Sequence, residues 1–121
     1  MRCVSACGTS YSMLRTAAEG YKVLQLNHQS WPALEAFYRM TLGNARALSL
    51  DHRIGSIEAG KEADVIALDS RATPALAHRL EMAGGDLEVE LFALLTLGDD
   101  RAVRQTYVAG EPCKKSERPH V

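Results

Sequence analysis

Four histidines, three cysteines and a set of closely spaced carboxylates are the side chains in this sequence that could hold a metal or move a proton. Zinc sites draw on four such ligands, often in paired short spacings. Cys3 and Cys7 form one spaced pair, Cys113 stands far away, and no histidine lies near the pair. The three thiols therefore read as reduced and non-functional, and their odd number argues against a secreted disulfide framework. His28 falls in a polar loop, His52 beside a turn, His78 on a helix and His120 in the C-terminal tail. None belongs to a His-x-His motif or to a predicted strand end, so each reads as a surface histidine. Asp99 and Asp100 precede Arg101 and suit a charged turn or a cap. Paired carboxylates become acid–base catalysts when a cleft shifts their pKa values, and nothing in the surrounding sequence implies one. Lys61 and Glu62 read as a solvated turn, and Asp64 as a structural carboxylate accepting backbone amides at a turn. Trp31, before Pro32, reads as a packing residue at a helix start. The expected catalytic, substrate-binding and metal-binding sets are thus all empty.

The elements that would position these residues follow from periodicity. Residues 11–26 carry Leu14, Ala17, Ala18, Tyr21 and Leu24 at three- and four-residue steps, one face of a helix. Ser10 or Ser12 can cap it, and Gly20 should weaken it by about 1 kcal/mol. After a polar loop at 27–30, Ser30 is placed to cap a second helix with Pro32 in its first turn. Its face would hold Leu34, Phe37, Tyr38 and Leu42, and Gly43-Asn44 should break it before a short helical segment at 45–48. Around Ile54–Ile57 and Gly60-Lys61 short extended pieces alternate with turns. Residues 63–68 suit a strand buried on both faces. Thr73-Pro74 opens a third helix with Leu76, Ala77, Leu80 and Ala83 inward, ended by Gly84-Gly85-Asp86. Residues 87–97 make a fourth, with Leu87, Leu91, Leu94 and Leu95 on one stripe. Residues 102–109 read as a strand with Val103 and Tyr107 sharing a face, followed by a turn at 110–112. The polar tail from Cys113 reads as frayed. Two strands alone have little independent stability, so they should complete a larger sheet.

The chain has 121 residues and a formal charge of -1, with 46% apolar residues. That suffices for one domain but not for a whole (β/α)8 barrel, which takes about 250 residues. The interspersed charges give no basic patch for a phosphate backbone, which argues against nucleic acid. No apolar run approaches the roughly 18 residues that span a bilayer, and the N-terminus lacks a signal-peptide pattern. These features predict a cytoplasmic protein with no membrane partner.

Two stretches resemble a known superfamily. Residues 55–69, GSIEAGKEADVIALD, resemble the C-terminal signature of amidohydrolases, and residues 41–48, TLGNARAL, resemble the segment that precedes it. Arg46 lies in the latter as a structural residue. The stretches 8–15, 19–23, 72–79, 91–103 and 106–110 narrow the resemblance to guanine deaminases. It implies an α/β fold: the C-terminal fragment of an amidohydrolase, with the last helices of a (β/α)8 barrel and strands of a small composite β-sandwich. Residues 1–50 would be terminal barrel helices, 51–112 the composite domain with two inserted helices, and 113–121 a flexible tail. The implied reaction is hydrolysis of guanine to xanthine and ammonia in purine catabolism, by a zinc-activated water.

The same resemblance implies a zinc site built from an upstream His-x-His, two further histidines and an aspartate four residues before Gly8. Val4 stands at that last position, and Val cannot donate an oxygen to zinc. The cofactor implied for the intact family is zinc, with none expected to bind this chain specifically. The loss of resemblance before Gly8 reads as a truncated frame, an altered start or a decayed gene. Three readings follow: an inactive portion of a guanine deaminase, a split-enzyme subunit or binding module, and a product without selected function. For the second, the partner would be a barrel-forming chain, or another copy meeting it through exposed apolar helix faces.

Overall fold

The computed structural model describes residues 10–113. Helix α1 spans Met13–Leu26 and is followed by α2, Ala33–Tyr38. A π-helical turn over Arg39–Gly43 leads directly into α3, Asn44–Ala47. Strand β1 is Val65–Leu68; α4 covers Pro74–Glu81 and α5 Leu87–Leu97. A 3-10 turn at Asp100–Ala102 feeds β2, Val103–Val108, and the short β3, Glu111–Pro112. The strands form one antiparallel sheet in the order β1-β2-β3. Among the described residues no helix is long and apolar enough to cross a membrane.

Helix α1 starts as its pattern predicts. The Ser12 hydroxyl accepts from the Arg15 amide at 3.4 Å, and Leu14, Ala17 and Gly20 are buried. Gly20 is more than a weak helix residue. The Trp31 ring lies where a Cβ on Gly20 would come within 3.1 Å. Its missing side chain is the space the indole occupies, so Trp31 is the packing residue expected at the entry to α2.

The second helix departs from expectation in three ways. Pro32, not Ser30, stands at its N-cap, and no side chain caps it. Gly43-Asn44 does not break the chain: Gly43 keeps helical dihedrals, and the path passes through the π turn into α3. Finally, the buried positions are Ala33 and Ala36, while Leu34 is 51% exposed and Tyr38 is exposed as well. Helix α2 packs on α5, with Ala36 in one cluster with Leu95 and Phe37 of the expected face packed against it; the extra residue in the π turn shifts the phase of everything after it.

Helix α4 follows its predicted form, with Thr73 accepting from the Leu76 amide, Pro74 in the first turn and Leu76 fully buried. Asp86 does more than end it. Its carboxylate accepts from the Glu88 and Val89 amides and so caps α5. Helix α5 touches α1, α2 and α4, which explains its apolar composition on all sides. The expected stripe is right at Leu94 and Leu95 but wrong at Leu87, which is 61% exposed. Ala93 completes the buried face.

The core forms two adjoining clusters. One joins Leu14, Leu76, Ala93, Leu94 and Ala102; the other joins Ala17, Ala36 and Leu95. Phe37 and Met40 pack against both. Strand β1 reaches the first cluster through Leu68, yet Ile66 is 57% exposed. The strand is therefore half-buried rather than covered on both faces as predicted. Residues 51–64 run as turns without strands, contrary to the extended pieces expected there.

The predicted turn at 110–112 is shifted. Ala109 and Gly110 form a two-residue turn between β2 and β3, with φ of 49° and 82°. Two positive φ values match the twist of a hairpin, and Asn-Gly is the favoured pair for them. Ala pays a Cβ clash there. Ala109→Asn should therefore raise stability by roughly 1 kcal/mol, measured by urea denaturation; an unchanged or lowered midpoint would contradict this turn geometry.

Candidate functional site

The signature stretch 55–69 is held by a polar lattice. The Asp64 carboxylate, just before β1, accepts the Ala109 amide at 2.8 Å. In return the Gly110 amide donates to the Ala63 carbonyl at 3.0 Å. Asp64 thus fastens the signature to the β2–β3 turn, the backbone-accepting role its sequence context predicts. Lys61 differs from the solvated residue expected. Its side chain is only 14% exposed, and its Nζ donates to Ser56 Oγ at 2.6 Å and to Glu58 Oε1 at 3.2 Å. Ser56 donates to the same carboxylate at 2.5 Å. Those bonds, from Ser56 first and Lys61 next, lower the Glu58 carboxyl below its ordinary pKa. Glu62 pairs with Arg53, which raises the already high pKa of the guanidinium.

Arg46 is exposed and reaches out of its own motif to residues on either side of it. Its guanidinium lies 6.0 Å from the centre of the Tyr38 ring and donates to the Tyr38 hydroxyl at 2.9 Å. Asp51 stands 4.0 Å away. Sequence reasoning assigned Arg46 a structural place but missed Tyr38, Arg53 and Ser56 as partners. Opposite charges at 53 and 62 were the available signal for one of these pairs.

Asp99 behaves as a cap. It accepts from the Arg101 amide at 2.9 Å, and its two oxygens take the Arg101 Nε and Nη2 protons. The Arg101 side-chain bonds, followed by the backbone bond, lower the Asp99 pKa. A carboxyl whose folded pKa is depressed stabilises the fold above the ordinary carboxylate range and loses that contribution as pH falls through the folded pKa. Asp99→Asn should thus lower stability at neutral pH, with the difference from the parent shrinking in acid. Denaturation curves taken between pH 7 and pH 3 read this out; a difference independent of pH would contradict it.

The histidines do not converge. His28 is exposed with a φ of 55°, His52 is exposed, and His78 is exposed with Nδ1 3.8 Å from Glu81. Cys113 is exposed. Cys3, Val4, Cys7 and His120 lie outside the described residues. Among the described residues no three His, Cys, Asp or Glu side chains gather as metal ligands would. The carboxylates of the signature already accept from Lys, Arg and backbone amides. This donor set does not fit zinc, which wants several nitrogen, oxygen or sulfur donors converging on one ion.

A groove with aromatic lining lies elsewhere among the described residues. Tyr21, Trp31 and Phe92 line an open groove of about 310 Å³, with Arg79 and Glu88 at its polar side. Tyr21 and Phe92 meet edge to face with ring centres 5.4 Å apart.

This α/β chain falls within a recognised class. The sequence profile of the amidohydrolase family matches residues 3–113, and the chain belongs to that family. Within it, the chain is similar to guanine deaminases. It is 46% identical to the guanine deaminase of Escherichia coli K12 over 103 residues, covering 85% of this chain and 23% of that protein. It superposes on the E. coli guanine deaminase structure with a TM-score of 0.86 at 44% identity, covering 91% of this chain and 26% of the other. The crystal structure of guanine deaminase from Bradyrhizobium japonicum gives a TM-score of 0.81 at 29% identity, over 91% of this chain and 29% of that one. The chain spans about a quarter of the length of these relatives.

Proposed function

We propose that this chain is the C-terminal portion of a guanine-deaminase-like hydrolase and has no turnover by itself. The reaction of the whole would be hydrolysis of guanine to xanthine and ammonia. The observation that carries this reading is the close superposition on a guanine deaminase confined to 26% of its chain. On this map residues 10–50 belong with terminal barrel helices and 51–112 with the small composite domain, while residues 1–9 of the first segment and the tail from 114 on lie outside the described residues.

The test is a guanine hydrolysis assay on the purified 121-residue chain with zinc supplied. No xanthine should form above the protein-free rate. Robust turnover with no other polypeptide present would overturn the proposal.

A second reading is favoured by a specific feature. Val23, Leu26, Leu34 and Tyr38 on α1 and α2 are exposed, and apolar surface of this kind can mark an interface. In that reading the chain is a subunit that pairs with a separate barrel-forming chain. Co-purification with such a chain, and guanine turnover by the pair, would favour it. A stable, monodisperse monomer that ignores the added chain would count against it.

A further inference from the structure

We draw no further inference here: the strongest candidate, the open aromatic groove between α1, α4 and α5 lined by Tyr21, Trp31 and Phe92, carries none, because nothing in the structure shows what covers it.

Discussion

Leu95→Ala should lower the stability of the chain by about 3 kcal/mol, toward the middle of the range for emptying a buried leucine site. Leu95 has no exposed surface and sits at the centre of the cluster with Ala17 and Ala36. Its neighbours decide the magnitude. Ala17 and Ala36 end at Cβ and cannot reach into a hole, while Trp31, Phe37, Met40 and Phe92 pack against the cluster from the side. The cavity therefore stays largely open, and the loss of contacts adds to the loss of transfer free energy. The natural control is Leu97→Ala, two residues along the same helix and 45% exposed. Ala is no worse a helix former than Leu, so this change should stay within roughly 1 kcal/mol of the parent. Both variants can be followed by denaturation with the fluorescence of Trp31, the chain's one tryptophan, which packs against the same cluster. Equal losses from the two substitutions would show that α5 does not occupy the centre of the helical layer.

That central position explains which parts of the fold the sequence discloses. Helices α1 and α4 announce themselves because apolar residues recur at helical spacing and a hydroxyl residue stands at each start. Ser12 and Thr73 then accept the expected amides. The second helix hides its buried face because periodicity rewards large apolar residues. Its buried positions are instead Ala33 and Ala36, and of the expected face Phe37 does pack against both core clusters. Leu34 and Tyr38 are the residues that attract the eye, and they lie on the exposed side. The π turn is invisible in the same way. Gly43 looks like a helix stop, but its φ of -61° is ordinary helix. Long-range pairing is the other limit. The type of role played by Asp64 follows from its place before a strand, but its partner is 45 residues away in the chain. Lys61 looks solvated because charged residues flank it, and only the folded loop brings Ser56 and Glu58 to its amine. Much of the lattice at the signature is therefore a product of folding, whereas the residue types that make it are plain in the sequence.

A loss of similar size is expected at Gly55, where Gly55→Ala should cost about 3 kcal/mol from two separable causes. The first is backbone. Its φ of 96° is a conformation that L side chains rarely adopt, and a Cβ on positive φ costs roughly 1–2 kcal/mol. The second is space. A Cβ there would stand 2.7 Å from the Ala45 Cβ and 3.1 Å from the Leu42 Cα. Neither neighbour can swing aside, since Leu42 belongs to the π turn and Ala45 is a buried residue of α3. Forcing such a contact typically costs about 1–3 kcal/mol. A double-mutant cycle separates the two. Ala45→Gly removes the opposing Cβ, so in its presence Gly55→Ala should cost less by the share due to Ala45, while the backbone share and the approach to Leu42 persist. Additive losses would mean that Ala45 and Gly55 do not touch. The coupling has a wider consequence for the sequence pattern. The glycine that opens the stretch 55–69 is seated on the alanine and leucine of the stretch 41–48, so the two amidohydrolase-like signatures are two sides of one packed joint. Their small residues are then explained by the fit between a left-handed turn and a π turn, which leaves the joint a packing role whether or not the chain ever meets a substrate.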